Sequence, residues 1–258
     1  MLPDIAFFDS IAEAAAAETL PRFRMPVTID NKQAGGFDPV TEADRAAEKA
    51  IRQIITERYP EHGILGEEHG NVGIDRDHVW VIDPIDGTRA FISGLPVWGT
   101  LVGLYHKGKA VMGMMDQPFT GERFIARPGE AMVLRHGERS KLSTRKGVSL
   151  DQAIMMTTSP SIFPQTLEPS YKRVENSVQL ARYGCDCYAY AMVASGHIDL
   201  VVESDLKPYD VGGLIPLVEQ AGGVMTTWSG GRPEMGGNIV ASGSAELHEA
   251  VLELLNQR

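Results

Sequence analysis

The stretch Val79-Trp80-Val81-Ile82-Asp83-Pro84-Ile85-Asp86-Gly87-Thr88 decides the fold prediction, because an apolar run stops there at two carboxylates, a proline and a glycine. Residues 79–82 are β-branched or aromatic and contain no breaker, which predicts a buried strand. Pro84 has no N–H to donate to a sheet, so we expect the strand to end and a turn to follow Asp83.

Two carboxylates in this turn indicate a site for a hard cation. Only two residues separate Asp83 from Asp86, so a tight turn can bring both carboxylates and the Ile85 carbonyl to one point. Mg²⁺ prefers such all-oxygen ligand sets. Gly87 lets backbone N–H groups approach an anion, and the adjacent Thr88 hydroxyl can orient a water molecule. For this stretch alone, a polar turn without function is an equal alternative.

The composition of the 258-residue chain is that of a globular protein with an acidic surface. The formal net charge of -10 argues against nucleic acid or an anionic membrane as a partner. Cys185 and Cys187 are too close together for a disulfide framework and are expected to be small buried side chains, which indicates a reduced, cytoplasmic protein. Residues 1–20 lack a basic segment and no apolar stretch reaches about 20 residues, so we expect neither a signal peptide nor a membrane span.

The first forty residues predict three simple elements. Apolar residues at helical spacing predict an opening helix over residues 4–23 with one buried face. Residues 27–30 alternate like a short strand, and the glycine-containing segment 33–37 predicts a loop. None of the three carries chemistry.

A second helix is predicted to begin after Thr41. Thr41 and Asp44 have the spacing of a capping box, and the apolar pattern that follows runs to about Tyr59, where Pro60 ends it. The capping role explains Asp44 without any further function. From this segment alone we therefore prefer a structural role for Asp44.

Paired acids, Glu67 and Glu68, follow a short apolar segment and lie between glycines. Adjacent side chains on a strand or turn point in different directions, so at most one of the two is expected to bind a metal. His69 is expected to be a solvated loop histidine, because carboxylate neighbours favour Mg²⁺ over Zn²⁺.

The character of the chain changes at its middle. From Val97 to Arg135, short apolar runs alternate with turn signals, which predicts an antiparallel sheet built from hairpins. After a polar stretch, strand and helix patterns alternate to the end. We predict one folded unit over residues 1–258, with an α+β half at about 1–145 and an α/β half at about 146–258.

Asp210 stands where a late helix is predicted to begin. Two glycines, Gly212 and Gly213, follow it and permit close packing against a neighbouring element. Acids are common at helix N-termini for electrostatic reasons alone, so Asp210 taken singly decides nothing.

Taken together, four segments resemble the inositol monophosphatase superfamily of Mg²⁺-dependent, lithium-sensitive phosphatases, in that family's order and at comparable spacing. They are Asp38-Pro39-Val40-Thr41-Glu42-Ala43-Asp44, Gly66-Glu67-Glu68, Trp80-Val81-Ile82-Asp83-Pro84-Ile85-Asp86-Gly87-Thr88 and Tyr209-Asp210-Val211-Gly212-Gly213. The resemblance covers most of the chain. It implies an α/β fold, the five-layer αβαβα sandwich of that family, usually as a homodimer.

The resemblance also implies a set of metal ligands. Glu67, Asp83 and the Ile85 carbonyl would hold the first metal, while Asp83, Asp86 and Asp210 would hold the second. A weaker third metal would use Glu67. Two or three Mg²⁺ ions per active site are therefore expected. Converging carboxylates would repel one another without such cations, and paired metal ions can polarise a phosphoryl group and lower the pKa of a bound water.

Water would be activated by Asp44 paired with Thr88, which reverses the structural preference for Asp44 stated above. No residue has the pattern of a covalent nucleophile. One departure from the family concerns a lysine that many relatives carry shortly before the Asp38 segment, since the nearest lysine here is Lys32.

Substrate contacts are implied mainly for the second half. The segment Gly184-Cys185-Asp186 and the acid Glu203 match positions that touch the substrate alcohol in the family. Arg182, beside that segment, and the turn residues Gly87 and Thr88 complete the expected substrate-binding set. The substrate is therefore expected to be a small phosphomonoester.

Two further acids set the expected substrate. Asp186 and Asp205 would make the pocket more acidic than a polyol such as inositol requires, and an acidic pocket suits a cationic leaving group such as histidinol. The strings over residues 83–100 and 203–210 look like the histidinol-phosphate phosphatase branch. We therefore expect Mg²⁺-dependent hydrolysis of L-histidinol phosphate, a step of histidine biosynthesis.

Other functions stay open. If Asp186 and Asp205 are solvated surface acids, inositol 1-phosphate or a broader range of sugar phosphates becomes the alternative substrate. A nucleotide phosphate is less favoured, because an anionic leaving group would meet these acids. A non-catalytic regulator that binds a phosphorylated ligand is also less favoured, because every expected metal ligand is present.

Overall fold

A computed structural model of the protein describes residues 2–26, 29–31 and 39–257. Lys32, the predicted loop 33–37 and Asp38 lie outside the described residues, as does the first half of the strand predicted over residues 27–30. Among the described helices, none is both long enough and apolar enough to cross a membrane.

The elements are numbered in chain order. The strands are β1 Ile29–Asn31, β2 Pro39–Thr41, β3 Gly63–Gly66, β4 His78–Asp86, β5 Gly99–His106, β6 Lys109–Gln117, β7 Glu122–Arg127, β8 Glu130–Arg135, β9 Glu138–Lys141, β10 Ile154–Thr157, β11 Leu180–Tyr183, β12 Leu200–Leu206, β13 Val224–Thr227 and β14 Gly237–Ser242. The helices are α1 Ile5–Thr19, α2 Glu42–Arg58, α3 Thr88–Ile92, α4 Glu168–Glu175, α5 Asp186–Ala194, α6 Pro208–Gly212, α7 Leu214–Gln220 and α8 Ala245–Asn256.

Two large sheets form the body of the fold. Strands β3 to β9 form a seven-stranded sheet in sequence order, in which β3 is parallel to β4 and every later pair is antiparallel. The second sheet has the order β11-β10-β12-β14-β13 and is mixed, with β10 parallel to β11 and β12 and with β14 antiparallel to β12 and β13. Strands β1 and β2 pair separately.

Helices and sheets alternate in five layers. Helices α1 and α2 cover one face of the seven-stranded sheet, α5, α6 and α7 lie between the two sheets, and α4 and α8 cover the far face of the five-stranded sheet. Three cores lie around Phe8, Ile51 and Trp80, around Leu101, Val201 and Ile215, and around Tyr171, Val240 and Leu255, and a fourth, smaller one lies around Phe23, Ile85 and Trp98. This order confirms the predicted αβαβα fold. The division into halves that form one folding unit stays a prediction.

Strand alternation explains how one strand serves two layers. On β5, Leu101 belongs to the core between the sheets, whereas Val102 and Leu104 belong to the core under α1 and α2. Successive side chains of a strand point to opposite faces, so a strand covered on both sides must be apolar at nearly every position. The sequence of β5 meets this requirement.

The prediction that a turn follows Asp83 is wrong, because β4 continues to Asp86. Its pairing with β5 is regular up to Asp83, shifts register over Pro84 and Ile85, and resumes where Asp86 faces Gly99. The proline removes only its own N–H from the ladder, and its carbonyl accepts a hydrogen bond of 2.8 Å from the Thr100 hydroxyl. The two acids therefore flank a bulge inside a strand.

Glycines bring α6 directly against the seven-stranded sheet. A Cβ atom at Gly103 would lie 2.3 Å from the Gly212 carbonyl oxygen, and one at Gly113 would lie 2.1 Å from the Gly213 oxygen. The close packing predicted for Gly212 and Gly213 is thus confirmed, and the partners are glycines as well. This contact fixes the height of α6 above the sheet and so positions Asp210, which lies on that helix.

Candidate metal centre

Three aspartates from two elements converge. Asp83 and Asp86 flank the bulge of β4, and Asp210 lies in the first turn of α6. Each offers one carboxylate oxygen such that all three oxygens lie within 4.8 Å of one another. Hard divalent cations bind such all-oxygen sets, so these residues fit a magnesium ion.

Backbone N–H groups hold these carboxylates in place. Asp83 Oδ1 accepts from Ile85 N at 3.1 Å, Asp86 Oδ2 accepts from Cys187 N at 2.7 Å, and Asp210 Oδ2 accepts from Lys207 N at 2.6 Å. One oxygen of each aspartate is therefore fixed by the fold. The N–H that holds Asp86 comes from the start of α5, which links the bulge to the second half of the chain.

The electrostatic environment of these carboxylates favours the binding of a cation. Desolvation raises the pKa of Asp83 well above its usual value, and the carboxylates of Glu67, Asp86 and Asp210 raise it further. Desolvation likewise raises the pKa of Asp86, with further increases from Asp210 and Asp186. For Asp210, desolvation raises the pKa to about 7. A divalent cation among these groups would favour their ionised forms.

Glu67 joins the cluster from the turn after β3. Its N–H donates to the Ile82 carbonyl at 3.2 Å, beside β4, and its carboxylate raises the pKa of Asp83 and Asp44. Glu68 instead lies near Arg45, whose pKa is raised mainly by the hydrogen bond to Asp30 and further by Glu68. The two glutamates thus face different groups, as expected. His69 is exposed, with Nε2 lying 3.1 Å from the Arg45 carbonyl oxygen.

Asp44 carries out the capping role and also faces the cluster. Its Oδ2 accepts from the backbone N–H of Thr41 at 2.9 Å and from the Thr41 hydroxyl at 2.6 Å, which confirms the predicted capping box. Its Oδ1 lies 3.5 Å from the Thr88 hydroxyl, which also donates to the Ile85 carbonyl at 3.1 Å. Burial raises the pKa of Asp44. The capping role of Asp44 and the water-activating role expected for it are therefore compatible.

A small cavity of about 40 Å³ adjoins the metal cluster, by which we mean the carboxylates of Asp83, Asp86 and Asp210. It shares Asp86 and Asp210 with that cluster, and its other polar walls include Asp186, Tyr190 and Glu203. Burial raises the pKa of Glu203 to about 8 and that of Asp186 to about 6, and a cation in the cavity would oppose both shifts. Two of the acids expected in the substrate pocket, Asp186 and Glu203, thus line one cavity.

Gly87 and the Asp186 side chain lie in close contact beside this cavity. Gly87 has a φ of 82°, and a Cβ atom there would lie 3.0 Å from the Cβ of Asp186. Asp186 itself has a φ of 42°, in the left-handed region that few non-glycine residues adopt. Such backbone strain is common at functional sites, where the surroundings hold the residue in place.

Several predicted substrate contacts lie away from the cavity. Arg182 and Gly184 are exposed, and Cys185 is half-buried next to them. The structure does not bring Asp205 to Glu203, because Asp205 lies within the register shift of β12, has a φ of 61° and pairs with Lys207 at 2.8 Å. Its side chain is 86 % exposed.

The sequence analysis missed Tyr190. This residue lines the cavity from α5, one helical turn after Asp186. Residues four apart share a face of a helix, so the spacing from Asp186 would have identified it. Cys187 also lines the cavity, and both cysteines are free.

Comparisons with known proteins agree with this geometry. Residues 3–258 match the model of the inositol monophosphatase family. The chain is 43% identical over 258 residues to bifunctional phosphatase IMPL2, chloroplastic, of Arabidopsis thaliana, covering 96% of this chain and 73% of that protein. It is 33% identical over 272 residues to histidinol-phosphatase of Streptomyces coelicolor, and this match covers 100% of this chain and 98% of that protein.

A solved structure of an inositol monophosphatase from Zymomonas mobilis superposes with a TM-score of 0.87 at 39% identity, covering 98% of each chain. Other relatives carry further names. Inositol-1-monophosphatase of Caulobacter vibrioides is 30% identical, and Nus factor SuhB of Escherichia coli is 34% identical. The names of the relatives therefore differ in the activity that they state.

Proposed function

The chain belongs to the inositol monophosphatase family of metal-dependent phosphatases, and we propose that it hydrolyses L-histidinol phosphate to L-histidinol and phosphate. The observation that carries this proposal is the acidic cavity beside the metal cluster, in which Asp186 and Glu203 lie next to Asp86 and Asp210. An acidic wall favours a cationic leaving group over a neutral polyol. Histidinol carries an ammonium and an imidazole, so it fits this wall.

The relatives give independent support. Histidinol-phosphatases are among the similar proteins, with matches along nearly the full length of both chains. The alternative substrate is inositol 1-phosphate or another sugar phosphate, which the name of the Caulobacter vibrioides relative supports. The acidity of the cavity favours the first substrate.

In the proposed reaction, Glu67, Asp83, Asp86, Asp210 and the Ile85 carbonyl hold two principal Mg²⁺ ions and a weaker third. Mg²⁺ held by these residues would polarise the phosphoryl group and lower the pKa of a water molecule. The protein's own contribution is to place that water and exclude others.

Asp44 and Thr88 place the attacking water. The Thr88 hydroxyl can donate only one proton, and its two acceptors are Asp44 Oδ1 and the Ile85 carbonyl. With the Ile85 carbonyl bound to a cation, the hydroxyl would donate to Asp44 and would be free to accept a hydrogen bond from water. Thr88 then accepts a hydrogen bond from the water and orients the oxygen that attacks phosphorus.

Kinetics on two substrates test the proposal. We expect kcat/KM for L-histidinol phosphate to exceed that for inositol 1-phosphate. Asp186→Asn and Glu203→Gln keep the size of the side chains and remove their charge. A charge-assisted hydrogen bond is worth about 1.5–3 kcal/mol, so each variant should lose about ten- to a hundredfold on L-histidinol phosphate and little on inositol 1-phosphate.

Other results of these kinetics would lead to different conclusions. Equal losses on both substrates would indicate damage to the fold or the metal site. Unchanged rates on both would mean that the acids do not read charge, and the protein would be a general phosphomonoesterase. Phosphate release with Mg²⁺ that stops with EDTA excludes a non-catalytic regulator.

A further inference from the structure

Two buried polar atoms at the cavity have no partner within the described part of the chain. They are the Tyr190 hydroxyl oxygen and Glu203 Oε2. Both side chains are at least 97 % buried. The other oxygen of Glu203 accepts from the Thr158 N–H at 2.6 Å, so the orientation of the carboxylate is fixed. Unpaired buried polar atoms are costly, and two at one cavity indicate a missing polar occupant.

The size of the cavity limits this occupant. The cavity has a volume of about 40 Å³, and about 10–15 Å³ is enough to hold one water molecule on this measure. It therefore admits a polar group of a few atoms.

The hydrogen-bonding capacity of the walls selects the chemistry of that group. Glu203 Oε2, the Tyr190 oxygen and the Asp186 carboxylate are three acceptors on one cavity. A primary ammonium has three N–H donors and no acceptor, whereas a hydroxyl has a single donor. The ammonium alone can use all three acceptors, and its charge matches the two acids.

The position of the cavity locates the group within the substrate. Asp86 and Asp210 belong both to the metal cluster, where the phosphate ester is expected, and to the cavity wall. A group in the cavity would therefore lie close to the ester carbon. The phosphate ester of a 2-amino alcohol has its ammonium on the carbon next to the ester carbon.

We propose that Tyr190 and Glu203 form a site for the primary ammonium of 2-amino alcohol phosphates, in which Tyr190 is a specificity-determining residue. This proposal rests on the phosphatase function given above and refines its substrate class. The proposed contacts use the ammonium and not the imidazole. Simple 2-aminoalkyl phosphates should therefore share the preference shown to L-histidinol phosphate.

The test uses two substrates that differ only in the group at issue, 2-aminopropyl phosphate and 2-hydroxypropyl phosphate. The measured quantity is the ratio of their kcat/KM values on one enzyme preparation. We expect the unmodified protein to prefer the ammonium compound by at least tenfold. Tyr190→Phe, which removes only the hydroxyl, should lower this ratio about five- to tenfold, and Glu203→Gln should lower it further.

Tyr188→Phe is the matched control. Tyr188 lies on the same helix α5, and its hydroxyl donates to Glu122 Oε2 at 2.5 Å, away from the cavity wall. Its substitution should leave the ratio unchanged. Because the ratio compares two substrates on one preparation, a fraction of misfolded protein does not alter it.

A ratio near one for the unmodified protein would overturn the ammonium site. A ratio that Tyr190→Phe leaves unchanged while Glu203→Gln lowers it would overturn the assignment of Tyr190. A parallel measurement with L-histidinol phosphate separates this proposal from the one above. If that compound is hydrolysed no faster than 2-aminopropyl phosphate while the ratio stays high, histidinol phosphate is not the preferred substrate and the ammonium site stands.

Discussion

Asp44 shows why single residues in this site are difficult to assign from sequence. Its spacing from Thr41 fits a capping box, which is a sufficient reason for an acid at that position. The structure uses one carboxylate oxygen for the cap and turns the other toward Thr88. A carboxylate has two oxygens with separate partners, and a spacing rule describes only the first of them.

Asp83 is buried among other carboxylates. It is 2 % exposed, and Glu67, Asp86 and Asp210 all act on it. Asp83→Asn keeps the size of the side chain but removes the anionic oxygen that is expected to bridge two metal ions. We expect kcat/KM to fall by more than about a hundredfold, beyond the range for changes in outer partners of a metal site. Steady-state kinetics at saturating Mg²⁺ measure this loss.

Asp77→Asn is the control for Asp83→Asn. Asp77 immediately precedes β4, and its side chain is 70 % exposed. The same chemical change there should leave kcat/KM within twofold. If Asp83→Asn retains activity within tenfold of the parent, Asp83 does not bridge catalytic metals.

At the scale of elements, helix α2 positions Asp44, which is proposed to activate water, and Glu67, which is proposed to bind metal. Asp44 lies in its first turn, and Glu48 lies one turn further on and is fully buried. The Glu48 carboxylate accepts from the Glu68 N–H at 2.6 Å and the His69 N–H at 3.2 Å, and it pairs with Arg52 at 2.6 Å. The helix therefore holds the turn that carries Glu67.

Glu48→Gln should weaken Mg²⁺ binding without touching the metal. The amide retains one acceptor oxygen, but its NH₂ group faces an N–H of the turn, so the position of Glu67 becomes less fixed. We expect about ten- to a hundredfold weaker Mg²⁺ affinity, the usual effect of losing an outer partner. Isothermal titration with Mg²⁺ measures the affinity directly. Glu57→Gln, an exposed change on the same helix, should have no effect.

If Glu48→Gln lowers the melting temperature and leaves the Mg²⁺ affinity unchanged, Glu48 stabilises the fold only. Both quantities must be measured, because a fully buried acid with three donors contributes to stability in any case.

The contact between α6 and the sheet gives a second prediction at this scale. An alanine at Gly103 would place its Cβ 2.3 Å from the Gly212 oxygen, a distance that only a backbone shift can relieve. Gly103→Ala should therefore destabilise the protein by about 1–3 kcal/mol, as overpacking does, and displace Asp210. Thermal unfolding and Mg²⁺ titration report the two effects.

Gly70→Ala serves as the control, since no atom lies within 4 Å of the Cβ that it would add. Its stability should change by less than about 0.5 kcal/mol, as is usual for surface substitutions. A neutral result for Gly103→Ala would show that α6 can move away from the sheet without cost.

Two of the strands that the sequence did not predict lack a periodic pattern for different reasons. Strand β9 is exposed at all four positions, because it is the edge of the seven-stranded sheet, and an exposed strand has no apolar pattern. Strand β14 lies between β12 and β13 in the five-stranded sheet and is buried at its last four positions, yet it begins at a glycine. Periodicity reports burial on one face, and neither strand has that environment.

The bulge of β4 illustrates a related limit. Pro84 correctly indicates a break in the hydrogen-bond ladder, but whether the strand resumes depends on a partner far along the chain. That partner is Gly99 on β5, and the Thr100 hydroxyl supports the bulge. Local sequence cannot supply this information, although it does place Asp83 and Asp86 on either side of the irregularity.

At the scale of the whole molecule, the metal cluster joins the two halves of the chain. Asp83, Asp86 and Glu67 belong to the seven-stranded sheet or its turns, whereas Asp210 belongs to a helix between the sheets. Like charges gathered at this junction oppose the packing of one half on the other. Metal binding should therefore stabilise the entire fold as well as the site.

The last prediction tests this link between metal and fold by thermal unfolding with and without Mg²⁺. A ligand present at a hundred times its dissociation constant stabilises the native state by about 2.7 kcal/mol. For a chain of this size, that gain should raise the melting temperature by about 5–10 °C. Asp210→Asn removes one of the converging charges, so without Mg²⁺ it should melt above the parent, and with Mg²⁺ it should gain less than half as much. Sodium chloride at matched ionic strength controls for screening of surface charge and should not reproduce the shift. If Mg²⁺ and sodium chloride shift the parent equally, the carboxylates do not bind the ion in the free protein, and the repulsion at the junction is relieved by protonation instead.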